Sequence, residues 1–89
     1  MKCNFRKSFL KDLKAHKHDH EFLTQVKNII IEIEKAVSIL EIKNLKKLKG
    51  EKTFYRIRSG RYRVGIKIDN DIVSFVRALP RKDIYRYFP

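Results

Sequence analysis

Apolar side chains recur at intervals of three and four along the first half of the chain: Phe22, Val26, Ile29, Ile30, Ile33, Val37 and Leu40. On a helix these fall on one broad stripe, with Lys27, Asn28, Glu32, Glu34 and Lys35 largely off it, which predicts an amphipathic helix of about five turns. From Phe54 the period changes to two. The runs FYRIR, RYRVGIKI and IVSFVRAL read as strands, separated by Ser59-Gly60 and by Asp69-Asn70-Asp71, both turn-forming clusters. Pro80 lacks the N–H a sheet ladder needs and should end the last strand.

The remaining segments carry weaker patterns. Residues 2–6 (KCNFR) suggest a short opening strand, and a first helix from Ser8 to about His16 sets Phe9, Leu10 and Leu13 on one side. The polar stretch HKHDH at 16–20 breaks the pattern as a helix–helix corner, with Asp19 placed to cap the long helix. Residues 41–53 form a basic connection anchored by Leu45 and Leu48 and stopped at Gly50, and the closing RKDIYRYFP folds back as a turn or short helix. The expected order is βααβββ: an α+β fold spanning 1–89 as one domain, with two N-terminal helices on one face of a mostly antiparallel sheet.

Composition narrows the function classes. At 89 residues there is no room for a second domain, and 43% hydrophobic content suffices for one core. No run approaches the roughly 18 apolar residues of a membrane span, and MKCNFRKSF has no apolar segment typical of a secretory signal. Cys3 is the lone cysteine and cannot form an internal disulfide, which fits a reducing, cytoplasmic setting. Charge is the strongest global feature: Lys and Arg total 22 against 10 Asp and Glu, a formal +12. Self-repulsion at that density points to an anionic partner, whether RNA, DNA, anionic lipid or an acidic protein.

The stretch YRIRSGRYRVG concentrates that charge. With Ser59-Gly60 as a two-residue turn, Arg58 would face Arg61 and Arg56 would face Arg63, all on one side, with Tyr55, Ile57, Tyr62 and Val64 on the other. A merely solvated face would mix signs, and here the nearest acids, Glu51 and Asp69, lie outside both strand runs. The pattern instead reads as a phosphate-binding surface of guanidinium forks. Arg81, Tyr85 and Arg86 follow the neighbouring strand and can overhang the same face; Arg81 and Tyr85 are spaced for one helical side. For Tyr87 and Phe88 a core-capping role stands level with a functional one. His16 and His20 have i, i+4 spacing beside Asp19, but a polar helix corner explains them better than a metal site, and Cys3 has no nameable partner base. There is no Gly-rich phosphate loop and no paired-carboxylate motif.

The ordered set LKKLKGEKTFYRIRSGRYRVGIKI and FVRALPRKDIYRYFP, with the opening FRKSFLKDLKAH, resembles the RelE/ParE family of toxins from type II toxin–antitoxin modules, over essentially the whole chain. The resemblance implies a metal-independent, cofactor-free endoribonuclease that cuts mRNA in the ribosomal A site. In it a 2′-hydroxyl attacks the adjacent phosphate, leaving a 2′,3′-cyclic phosphate and a 5′-hydroxyl. It carries catalytic roles onto Arg56, Arg58, Arg63, Arg81 and Tyr85. Lys49, Lys52, Arg61 and Arg86 are expected to add RNA contacts. It also implies an acidic cognate antitoxin, the ribosome and mRNA as partners, operator DNA reached only through the antitoxin complex, and no membrane. Two departures bear on the chemistry. The nuclease for which the family is named has lysines where this chain has Arg56 and Arg58, and several ribonuclease members carry a histidine beside the C-terminal arginine, where this chain has Pro80. Arginine does not titrate, so proton transfer would fall to Tyr85, Lys52 or Glu51, or catalysis would rest on electrostatics and positioning. The alternatives are a ParE-like toxin that inhibits DNA gyrase without cleaving, or a basic RNA-binding module.

Overall fold

The computed structural model describes residues 1–50 and 52–89. Its elements are β1 (Lys2–Phe5), α1 (Lys7–Ala15), α2 (His20–Lys35), a 3₁₀ turn (Ile39–Glu41), β2 (Leu45–Lys47), β3 (Phe54–Ser59), β4 (Tyr62–Asp69), β5 (Ile72–Pro80) and α3 (Arg81–Tyr87). The strands form one five-stranded sheet in the order β1-β5-β4-β3-β2. β1 runs parallel to β5, whereas the other pairs are antiparallel. The α+β architecture expected from the alternating patterns is present, with two additions, the 3₁₀ turn after α2 and the short edge strand β2 within the basic connection, and the closing segment takes the short-helix form.

The period-two runs explain the two-sided sheet. Ile57, Val64, Ile66, Val73 and Phe75 point inward against Phe9 of α1 and Phe22, Val26, Ile29 and Ile33 of α2, forming the main core. On the opposite face Leu79, Ile84 and Phe88 build a second, smaller cluster with Leu48, Phe54 and Val76. A bulge makes that possible: Ile66 pairs with Phe75 but Gly65 pairs with Arg77, leaving Val76 without a partner on β4.

α1 also covers a sheet edge. β1 stops pairing with β5 at Phe5, and the freed edge of β5 is then satisfied by the start of α1. The Arg6 N–H donates to the Phe75 carbonyl at 2.9 Å and the Ser8 hydroxyl to the Val76 carbonyl. The buried Asp12 carboxylate accepts from the Ala78 N–H at 2.9 Å and from Nε and an Nη of Arg77 at 2.8 and 2.9 Å. At the other end of the sheet the β3–β4 turn is strapped to α2. The Tyr62 hydroxyl donates to Asp19 at 2.7 Å, while the other carboxylate oxygen of Asp19 caps α2 by accepting from the Phe22 N–H at 3.1 Å. The Ser59 hydroxyl donates to Gln25 at 2.8 Å.

Three expectations need correction. The apolar stripe of α2 does not reach Val37 and Leu40, which are 85% and 92% exposed. The helix ends at Lys35 because side chains satisfy the following backbone in non-helical form: Glu41 accepts from the Val37 N–H at 3.0 Å, and Ser38 from the Leu40 N–H at 3.3 Å. Leu10 is likewise exposed, since the buried side of α1 is made by Phe9 and Asp12. The hairpin register differs by one residue on each strand. Ser59 pairs with Tyr62, so Gly60 (φ 58°) and Arg61 form the turn, and Arg58 faces Arg63 while Arg56 faces Gly65.

The Asp12 clamp predicts a large loss in Asp12→Ala. It would leave the Arg77 guanidinium and the buried Ala78 N–H unpaired, costing about 2–4 kcal/mol by urea denaturation, toward the lower end for a broken buried pair because Arg77 keeps some solvent. Asp12→Asn should lose less, as its amide oxygen can still accept from Ala78.

A second prediction concerns pH. The hydrogen bond from Tyr62, and then the cap on Phe22, hold the Asp19 carboxyl below its usual range. A folded-state pKa below the unfolded one gives stability that is present above about pH 4 and lost as pH falls through the folded value. Tyr62→Phe removes the leading cause. Its deficit in Tm relative to wild type should be largest near neutral pH and shrink toward pH 2, as followed by circular dichroism melts; a deficit constant over that range would place the loss in packing against Phe22 instead.

Candidate active site

The outer face of the sheet divides into an apolar half and a basic half, and the division follows from the register. One cross-strand row runs Lys46, Arg56, Gly65, Arg77, and the next carries Arg58, Arg63 and Leu79. Directly paired residues share a face, so Lys46, Arg56, Arg58 and Arg63 stand together on it. The Arg58 N–H donates to the Asn44 carbonyl at 3.2 Å, tying the residue before β2 to the same row.

α3 forms the opposite wall. Pro80 ends β5 and leads directly into it, and the Arg81 N–H donates to the Arg61 carbonyl at 2.9 Å, fixing the start of the helix to the β3–β4 turn. Ile84 of α3 and Phe88, just past its end, are buried in the outer cluster. Arg81 and Tyr85, four apart on α3, lie together toward the arginines of the sheet. The result is a cleft of about 300 Å³ lined by Asn44, Lys46, Arg56, Arg58, Arg63, Arg81 and Tyr85.

The cleft is built as an anion receptor: five of its seven lining side chains are cations and none is a carboxylate. Arg63 is its fixed floor, only 8% exposed, with one Nη donating at 2.8 Å to each of the Gly60 and Tyr62 carbonyls. Burial, reinforced by Arg81, Arg58 and Arg56, pushes the Arg63 guanidinium below its usual pKa, against a smaller opposing effect of Tyr85. The Arg56 guanidinium lies over the Tyr85 ring at 4.4 Å from its centroid. Tyr85 itself is held below the ordinary phenol range, chiefly by hydrogen bonding from Arg81 and further by the charges of Arg56, Arg81 and Arg63, against some desolvation. A phenol poised this way is the group in the cleft best suited to accept a proton.

All five side chains assigned catalytic roles by resemblance, Arg56, Arg58, Arg63, Arg81 and Tyr85, meet in this cleft. The residues expected to add RNA contacts do not. Lys49 and Lys52 line a separate surface cavity with Lys47, Leu48 and Gly50. Arg61, expected on the arginine face, sits in the turn and pairs with Glu21 of α2 at 3.5 Å. Arg86 is exposed on α3 but does not line the cleft. Glu51, one of the candidate bases, lies outside the described residues. His16 is engaged structurally, its ring 4.9 Å from that of Phe22 and its Nδ1 2.9 Å from the Asp12 carbonyl oxygen. Among the described residues no three His, Cys, Asp or Glu side chains are grouped as a metal ion would require. Asn44 and Lys46 are additions that sequence reasoning missed; the alternation of inward Leu45 with outward Lys46 was the available signal.

Comparison with known proteins identifies the family and the fold. Residues 4–85 match the family model described as the ParE toxin of the type II toxin–antitoxin system parDE. The chain is 46% identical over 90 residues to Toxin RelE3 of Methanocaldococcus jannaschii, covering 100% of each. Among solved structures it resembles a chain of the RelB–RelE antitoxin–toxin complex from Methanococcus jannaschii, with TM-score 0.75, 43% identity and coverage of 96% of this chain and 98% of that one. A mutant of YafQ from E. coli shares the fold at 14% identity, with TM-score 0.73 over 93% of this chain and 96% of that one.

The seat of α3 is directly testable. A Cβ added at Gly65 would lie 2.6 Å from the Phe88 ring. Gly65→Ala should therefore displace Phe88 and loosen α3, costing about 1–3 kcal/mol by chemical denaturation. In the Gly65→Ala/Phe88→Ala double mutant the loss should be smaller than the sum of the single losses, because both act on one contact.

Proposed function

The chain belongs to the RelE/ParE family of type II toxins, and from the chemistry of its cleft we propose that it is a ribosome-dependent endoribonuclease that cuts mRNA in the A site. The observation that carries this reading is the convergence of four arginines, one lysine and one acid-shifted tyrosine on a single cleft with no carboxylate among its lining residues. Such a site fits a phosphodiester, and most of all its pentacoordinate transition state, where negative charge builds on the non-bridging oxygens.

The roles follow from position. Arg63 and Arg58, facing each other across the hairpin, hold the scissile phosphate. Arg81 approaches from α3 and takes up charge as it develops. Tyr85 accepts the proton of the 2′-hydroxyl as that oxygen attacks phosphorus. Arg56, stacked on the phenol, favours the ionised form and orients the ring. Bond formation at the 2′-oxygen and cleavage at the 5′-oxygen give a 2′,3′-cyclic phosphate and a 5′-hydroxyl. The chemistry needs no metal or cofactor.

The partner of the free toxin is a cognate acidic antitoxin. The M. jannaschii relative was solved as an antitoxin–toxin complex, which supports this assignment. The uncompensated charge of the cleft offers such a segment its anchor, and the groove lined by Ile39, the exposed Leu40, Ile42, Leu45, Lys47 and Tyr55 offers it apolar contacts. The matching family model bears the ParE name, so the second reading is a toxin that inhibits DNA gyrase and cuts nothing.

Tyr85 is exposed and its ring can be retained, so Tyr85→Phe separates chemistry from binding. Cleavage of mRNA on purified ribosomes should fall by at least about tenfold with ribosome affinity nearly unchanged, and Arg81→Ala should lose more in rate than in binding. Wild-type rates in both variants would dismiss the assigned site. A wild type that never cleaves but inhibits supercoiling by gyrase would establish the second reading.

A further inference from the structure

Transesterification at phosphorus needs two proton transfers, and the assigned residues account for only one. The departing 5′-oxygen leaves as a poor alkoxide unless an acid protonates it. Arginines cannot serve, because they do not give up a proton near neutral pH. Of the seven residues lining the cleft, Tyr85 and Lys46 are the two side chains able to exchange one. Lys52 opens onto a different cavity, so it is not placed for the task.

The geometry also sets Lys46 on the correct side. Attacking and leaving oxygens stand on opposite sides of phosphorus in an in-line displacement, so base and acid must flank the phosphate from opposite walls. Arg56 marks the middle. Tyr85 lies over its guanidinium from the α3 wall, and Lys46 is its cross-strand partner on β2, the far edge of the sheet. We propose that Lys46 is the general acid of the reaction, protonating the 5′-oxygen as it departs. The inference rests on the nuclease reading above.

The step balances. The 2′-hydroxyl proton passes to Tyr85, the 2′-oxygen bonds to phosphorus, the phosphorus–5′-oxygen bond breaks, and that oxygen takes a proton from the Lys46 ammonium. Exchange with solvent then restores both side chains.

The experiment compares single-turnover cleavage on ribosomes of ordinary mRNA and of mRNA carrying a bridging 5′-sulfur at the scissile position, a leaving group that needs no proton. Lys46→Ala should cleave the oxygen substrate about 10²–10⁴-fold more slowly than wild type. It should cleave the sulfur substrate within about threefold of wild type. Lys46→Arg, which keeps the charge but not a transferable proton, should fail on the oxygen substrate in the same way. Tyr85→Phe should remain slow on both, because its proton belongs to the attacking side. A Lys46→Ala variant that cleaves the oxygen substrate normally, or that is equally slow on both substrates, overturns the assignment while leaving the nuclease reading intact. A wild type that cleaves neither substrate overturns the nuclease reading, and the role of Lys46 with it.

Discussion

A phenyl ring lying against a glycine decides where the arginine cleft of this protein forms. α3 has seven residues, far too few to be stable alone, so its position depends on tertiary contacts. Phe88, just past its end, packs on the bare backbone of Gly65 and edge-on to Phe54 at 5.5 Å. Ile84, one turn earlier, fills the remainder of the outer cluster. These two anchors fix the rotation of the helix, and the rotation aims Arg81 and Tyr85 at the arginines of β3 and β4. The bulge at Gly65 belongs to the same device, because it brings Val76 into the cluster under α3.

Electrostatics divides the molecule in the same way. Where a cation serves the fold, it is paired: Arg77 has both oxygens of Asp12, and Arg61 has Glu21. Where a cation serves the cleft, no carboxylate among the lining residues answers it. Arg63 shows how the fold tolerates this, since carbonyl dipoles from its own hairpin accept its buried N–H groups while the formal charge stays uncancelled. The result is a concentrated positive field that an incoming anion relieves. A phosphate group or a carboxylate could each supply that anion.

Much of this was legible in the sequence because periodicity reports burial directly. The alternation through FYRIR and RYRVGIKI assigned Ile57, Tyr62 and Val64 inward and Arg56, Arg58 and Arg63 outward, and the register correction left those faces intact, since the sum of paired positions changed by two. Arg61 was misplaced by that same step, because a residue counted into a strand became part of the turn. The tail of α2 was misread because Val37 and Leu40 keep helical spacing while Ser38 and Glu41 bond the backbone locally, a competition that periodicity does not register. Asp12 and Lys46 escaped for opposite reasons. Asp12 is a polar residue buried to finish a sheet edge, visible only once β1 is known to stop at Phe5. Lys46 sits on a strand of three residues, where its alternation with Leu45 is the single signal, within a stretch read as a basic connection.

The choice of arginine over lysine in the hairpin has a physical logic. A lysine in such a site can serve as both charge and proton carrier, but each role constrains the other, since a pKa lowered for proton transfer weakens the charge that grips phosphate. Arginine removes the conflict by holding its charge under any physiological condition and presenting a planar fork to the phosphate oxygens. It leaves proton transfer to be supplied from elsewhere. In this cleft the side chains able to exchange a proton stand at the margins, Tyr85 on α3 and Lys46 on β2, with Arg56, Arg58 and Arg63 between them. On the proposed reading the arginines hold charge while the two side chains flanking the β3–β4 arginine row move protons, an arrangement that an in-line displacement at phosphorus would use.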